Sequence, residues 1–96
     1  MIGKASTFTL AITTTAVPVL GASVGQSRGY LAIYNTGTAP FLVGFDGDPT
    51  AAGAVAIPVP VGGSFEPAEA MQNAIWLAAV GGSTTVAVLT GEARHI

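Results

Sequence analysis

Apolar runs in this chain are short and constantly interrupted. Gly, Pro, Thr or Ser cuts the longest of them every few positions, and turn residues recur about every ten. Between the cuts the residues alternate. Thr7-Phe8-Thr9-Leu10-Ala11-Ile12-Thr13 sets apolar side chains against small polar ones at period two, the pattern of a half-buried strand. No segment carries the period of a helix of ordinary length, so a βαβ unit is excluded. The expected fold is all-β: one domain over residues 1–96, a small antiparallel β-sandwich or barrel of about seven to eight short strands.

Two segments read as hairpins. Residues 28–34 and 40–45 flank Asn35-Thr36-Gly37-Thr38, where Asn and Gly can supply positive φ. Residues 74–80 and 84–89 flank Gly81-Gly82-Ser83. Val17–Leu20 and residues 54–61 are short pieces interrupted by Pro18 and by Pro58 and Pro60, which suits edge strands because proline cannot donate to a ladder. Residues 21–27 read as a loop, and 67–73 have room for one helical turn. Leu31, Ile33, Val43, Ile75, Leu77, Val86 and Val88 combine bulk with regular alternation and are the expected core.

Charge is scarce: 8% of residues, against 50% apolar, with a mean hydropathy of +0.62. An ordinary soluble domain has roughly 25% charged residues. A domain of this size buries only about 60–65% of the surface its unfolded chain exposes, so the apolar excess needs cover beyond its own core. A bilayer is not expected to supply it, since a spanning helix needs roughly 20 predominantly apolar residues in a row. Other subunits are the expected cover. A net charge of −2, with Lys4, Arg28 and Arg94 scattered, argues against a nucleic-acid partner. Met1–Lys4 and the apolar residues after it resemble a secretory signal, but the many threonines and Pro18 suit a strand better. There is no cysteine, hence no disulfide framework, and the expectation is synthesis in a cytoplasm.

Catalytic constellations are missing. His95 stands alone near the C-terminus, and Ser6, Ser23, Ser27, Ser64 and Ser83 lie outside any nucleophile-elbow pattern. Glu66 and Glu69 are close enough in sequence to suggest an acid/base pair, but solvated acids beside Pro67 explain them more simply. Asp46 and Asp48 could open a calcium loop, yet the later acidic ligands are absent and an Asx turn is the better reading. The expectation is therefore no catalytic residue, no cofactor and no metal. The aromatic residues of the two hairpins, Tyr30, Tyr34, Phe41, Phe45 and Trp76, are the candidate interface residues, because strands apolar on both faces imply cover on both.

Several segments together resemble a known pattern. They are Arg28-x-x-Leu31-x-Ile33-x-Asn35 with Gly37, Phe41-x-Val43-Gly44-Phe45, Gly62-Gly63-Ser64-Phe65-Glu66, and Ala74-Ile75-Trp76-Leu77-Ala78 running through Gly81-Gly82-Ser83-Thr84-Thr85-Val86 to Thr90-Gly91-Glu92. Over residues 28–92 this is similar to small β-sandwich structural proteins of tailed bacteriophages, of the capsid decoration or cement type. The resemblance implies a virion protein and leaves its position in the virion open. The leading expectation is a decoration protein, made in the host cytoplasm, that binds the major capsid protein as a homo-oligomer such as a trimer and stabilises the shell. Residues 1–9 and 91–96 would be its reaching arms. A head–tail or tail-fibre element is the first alternative. A carbohydrate-binding module using Trp76, Tyr30 and Tyr34 as a stacking platform is the second.

Overall fold

The structure, a computed structural model, describes residues 2–20, 28–67 and 73–93. Eight strands follow one another: β1 (Ile2–Ile12), β2 (Val17–Leu20), β3 (Arg28–Asn35), β4 (Phe41–Phe45), β5 (Ile57–Val59), β6 (Ser64–Phe65), β7 (Ile75–Ala79) and β8 (Thr84–Ala93). They form two antiparallel four-stranded sheets, sheet A in the order β1-β8-β3-β6 and sheet B in the order β2-β7-β4-β5. This is the strand order of a double-sheet jelly roll. Pro18 and Pro58 lie on β2 and β5, the two edges of sheet B, where a missing donor costs least.

Neither expected hairpin forms. β3 lies in sheet A and β4 in sheet B, so residues 36–40 arch from one sheet to the other. Residues 80–83 do the same between β7 and β8. The two arches instead pair leg to leg, β3 with β8 (Ile33↔Val88) and β4 with β7 (Val43↔Leu77). The chemistry of the turn explains the difference. Among described non-glycine residues only Asp46 has positive φ, at 59°, and Gly37 is not among the positive-φ glycines. Asn35 and Gly37 therefore do not build a primed hairpin turn.

They do something else. The Asn35 side chain is buried and uses its whole bonding capacity. Nδ2 donates to the carbonyls of Ala39 (2.8 Å) and Pro60 (3.2 Å). Oδ1 accepts from Gly37 N–H (3.2 Å) and Thr84 Oγ1 (2.9 Å). One side chain thus ties the β3–β4 arch to the turn before β6 and to the first residue of β8. Gly37 is required by close approach: a Cβ there would collide with Thr84 Oγ1 and Thr85 N. Backbone bonds close the rest of this end, Ala79 N–H to Thr13 O (2.8 Å), Val80 N–H to Pro40 O (2.9 Å) and Thr36 N–H to Thr85 O (3.0 Å).

The core lies between the sheets. All seven expected core residues are buried, joined by Ile12, Phe41, Val59, Phe65 and Ala79. Sheet A is the longer layer. β1 and β8 have 11 and 10 residues, while β4 and β7 have 5 each, which gives an elongated molecule of 45 × 27 × 19 Å. The described parts of the expected arms, 2–9 and 91–93, are strand: Ile2 pairs with Ala93 and Ala5 with Gly91. The loop expected at 21–27 lies outside the described residues, as does most of the helical turn expected at 67–73.

Replacing Ile33 by Ala should lower stability by about 2–5 kcal/mol, the range for a fully buried aliphatic residue. Asn35→Ala should cost at least about 2 kcal/mol despite its smaller volume, because it strands several buried polar groups. Asn35→Asp should not restore the loss, since both donated bonds disappear. Urea unfolding measures all three. An Asn35→Ala midpoint equal to wild type would show that the arches hold without this side chain.

Candidate functional site

The five candidate interface residues do not form one surface. On β3, Leu31 and Ile33 face the core, so Tyr30 and Tyr34 project from the outer face of sheet A. On β7, Ile75, Leu77 and Ala79 face the core, so Trp76 projects from the outer face of sheet B, on the opposite side of the sandwich. Phe41 and Phe45 point inward. Phe41 has no exposed surface, and Phe45 packs on Phe65 with ring centroids 6.0 Å apart. Phe41 therefore belongs to the core and offers no side chain to a partner. The separation of Trp76 from the tyrosines also removes the single stacking platform that a carbohydrate-binding reading required.

The outer faces differ in chemistry. Sheet A presents a cross-strand row of small and hydroxylated side chains, Thr9 beside Ala87 beside Tyr34 beside Ser64, and a neighbouring row in which Leu89 lies between Thr7 and Ala32. At one edge of it lies a small polar cluster. Tyr34 OH donates to Glu66 Oε1 (3.4 Å) and Ser64 Oγ to Glu66 Oε2 (2.8 Å). The Tyr34 hydroxyl is held above its ordinary value, chiefly by its hydrogen bond with Tyr30, then by burial and by the negative Glu66. Sheet B presents no polar side chain at all on the paired positions of its outer face: Pro18 beside Trp76 beside Gly44, and Ala78 beside Leu42 beside Pro58. Pro49 rests on Gly44, where a Cβ would sit 2.9 Å from the proline ring.

Asp46 and Asp48 stand in the loop after β4 with separate tasks. Asp46 accepts from Ala74 N–H (2.9 Å, Oδ1) and from Asn73 Nδ2 (2.6 Å, Oδ2), which fastens the loop to the start of β7. Asp48 Oδ1 accepts from the N–H (2.7 Å) and hydroxyl (2.6 Å) of Thr50, the Asx turn expected from its neighbours. Each pKa is lowered by these bonds, Asp46 first by Asn73 and Asp48 first by the Thr50 hydroxyl. The clasp from Asp46 to Ala74 was not foreseen. Its one signal was an Asp at a strand end followed by Gly, a residue type that tolerates positive φ. An open hollow of about 450 Å³ adjoins this loop, lined by Gly44, Phe45, Pro49 and residues 51–55, with Asp48 as its charged member. No group of three metal-ligating side chains occurs among the described residues.

No protein-family model matches the sequence, and no curated protein matches it. Solved structures do resemble it in fold. A chain of the Bacillus endospore appendages, described as a novel family of disulfide-linked pili, superposes with a TM-score of 0.56 at 17% identity, over 96% of this chain and 87% of that one. A chain of PirA superposes with a TM-score of 0.49 at 14% identity, over 91% of this chain and 93% of that one.

The depressed carboxylates give a pH dependence of known sign. A group whose folded pKa lies below its unfolded value stabilises above the unfolded value and loses that contribution as pH falls through the folded one. Loop 46–56 should therefore be unaffected from neutrality down to the ordinary aspartate value of 3.8 and loosen below it. In NMR titrations the amide protons of Ala74 and Thr50 should report midpoints below 3.8. Shifts that titrate at or above that value would contradict these bonds.

Proposed function

We propose that the chain is a structural subunit, not a catalyst, and that it acts by packing against copies of itself in a repetitive assembly. The observation that carries this reading is the outer face of sheet B. Its accessible paired positions, Pro18, Leu42, Pro58 and Trp76, are all apolar, and Ala78 between them is already buried. In the segments that follow its strands, Val61 after β5 is 53% exposed, Val80 after β7 45% and Val55 in the loop after β4 85%. Apolar surface concentrated in this way marks an interaction site, and a symmetric assembly would cover it. The absence of a catalytic constellation from the sequence agrees.

The finer reading is decoration of a phage shell. It is supported by the sequence resemblance over residues 28–92 and by the jelly roll, an architecture that capsid proteins use. Such a subunit would bind the major capsid protein and reside on the virion. A second reading, a surface-appendage subunit, is favoured by the fold likeness to the endospore pilus chain. The first is an analogy of sequence pattern and architecture and the second of fold, and both describe work done through contacts alone.

Sedimentation of the purified protein should show oligomers or larger species at micromolar concentrations. The distribution should change little with salt, since three basic and five acidic side chains cannot supply an ion-pair interface. A well-behaved monomer at high concentration would overturn the reading. For the finer one, shells lacking the protein should survive heating better once it is added back. Absence of binding to such shells, with filaments seen by electron microscopy, would favour the appendage reading.

A further inference from the structure

An open sheet edge presents a row of unpaired N–H and C=O groups that can template another strand. The sandwich has four edges: β1 and β6 in sheet A, β2 and β5 in sheet B. Three are blunted. β2 and β5 have 4 and 3 residues and contain Pro18 and Pro58. β6 has 2 residues, too few to template a ladder. β1 is different. It runs 11 residues without a proline, and Lys4 is the sole charge in its sequence. Among the described residues only β8 pairs with it, and from Ala5 to Ile12 that pairing is regular. Edges normally carry charges, prolines or a protecting bulge. Here Lys4 and the register shift between Ile2 and Ala5 guard the first end of β1, and residues 5–12 carry none of these.

A side chain on the same strand tells the same story. Phe8 lies opposite Val88, a core residue, so Phe8 faces the inner side of sheet A. It is nevertheless 38% exposed. Its row runs on through Val88 and Ile33 of the core, but β1 is the outermost strand of sheet A, so no further strand of the sheet flanks the ring on its outer side.

We propose that β1 pairs along its free edge with β1 of a second copy, antiparallel about a two-fold axis, and joins two four-stranded sheets into one of eight. The occupant is a second copy because the strand is complementary to itself. In such a register inner-facing residues meet inner-facing residues, so Phe8 and Leu10 gain apolar neighbours. Outer-facing Thr7, Thr9 and Ala11 meet other small side chains. This names an interface for the self-association proposed above and rests on that reading.

The chain contains no cysteine, so a single introduced thiol reports one position. Thr7→Cys, Thr9→Cys and Ala11→Cys place it on the exposed outer face of β1, and Val55→Cys places it on a loop as the control. Under mild oxidation at least one β1 variant, the one nearest the two-fold axis, should form covalent dimers well in excess of Val55→Cys. The double variant Thr7→Lys/Thr9→Lys sets like charges across the pair. It should weaken association by tenfold or more in sedimentation while its thermal unfolding as a monomer stays cooperative. If wild type associates, yet the lysine variant sediments identically and no β1 thiol exceeds the control, edge pairing is wrong and another surface, such as the outer face of sheet B, carries the assembly. If wild type is monomeric at every concentration, self-association itself is wrong, and this interface with it.

Discussion

Asn35 is the point on which the arched end of the sandwich depends. A jelly roll must carry its chain repeatedly from one sheet to the other, and each crossing leaves backbone groups that neither ladder can satisfy. A buried amide offers two donors and two acceptor sites, and Asn35 commits all of them to three different connections. The consequence is geometric as well as energetic. Thr84 begins β8 beside the end of β3, which sets the β3–β8 register, and that register aligns Ile33 with Val88 in the core. Gly37 lets the arch approach Thr84 closely enough for the bond to form.

Faces were legible in the sequence and partners were not. Period-two alternation tells which residues share a side of a strand, so Leu31, Ile33, Ile75 and Leu77 are identifiable as core without knowing any pairing. It also contained a constraint that the aromatic residues obscured. Phe41 and Phe45 have the parity of Val43, so Val43 in the core places both rings inward with it. Pairing is another matter. A short segment such as Asn35-Thr36-Gly37 suits a hairpin within one sheet or an arch between two, and local composition does not separate them. What separates them is long-range: whether Asn35 finds Thr84 and Pro60, far along the chain, to bond. The Asp46 clasp to Ala74 was hidden for the same reason. The edge strands were legible through Pro18 and Pro58, because a missing donor is a local property with a topological meaning.

The two ends of the sandwich are built on different principles. At the end tied by Asn35, connections are short and bonded to one another through backbone and a buried side chain. At the other end the 46–56 loop is held by exposed carboxylates, which contribute little in water and fail in acid. Loops of the second kind can vary without disturbing the arches, so differences in what the sandwich binds would concentrate there.

The unequal sheets make the molecule incomplete in a directional way. A sandwich whose layers match can close its core on itself, and its edges then need only be kept from sticking. Here β8 has 10 residues and β7 has 5, so among the described strands sheet A is longer than the layer that opposes it. On the edge strand of that layer Phe8 is an inward-facing ring with more than a third of its surface open. Adding charge to that region would solvate it, but the chain has hardly any charge to place, and the outer face of sheet B has none on its paired positions. Two deficits of different kinds, a half-open ring at the edge of one sheet and an unsolvated face on the other, point outward in different directions. A single partner would cover one and leave the other. A lattice or filament, in which every copy meets neighbours on more than one side, covers both at once.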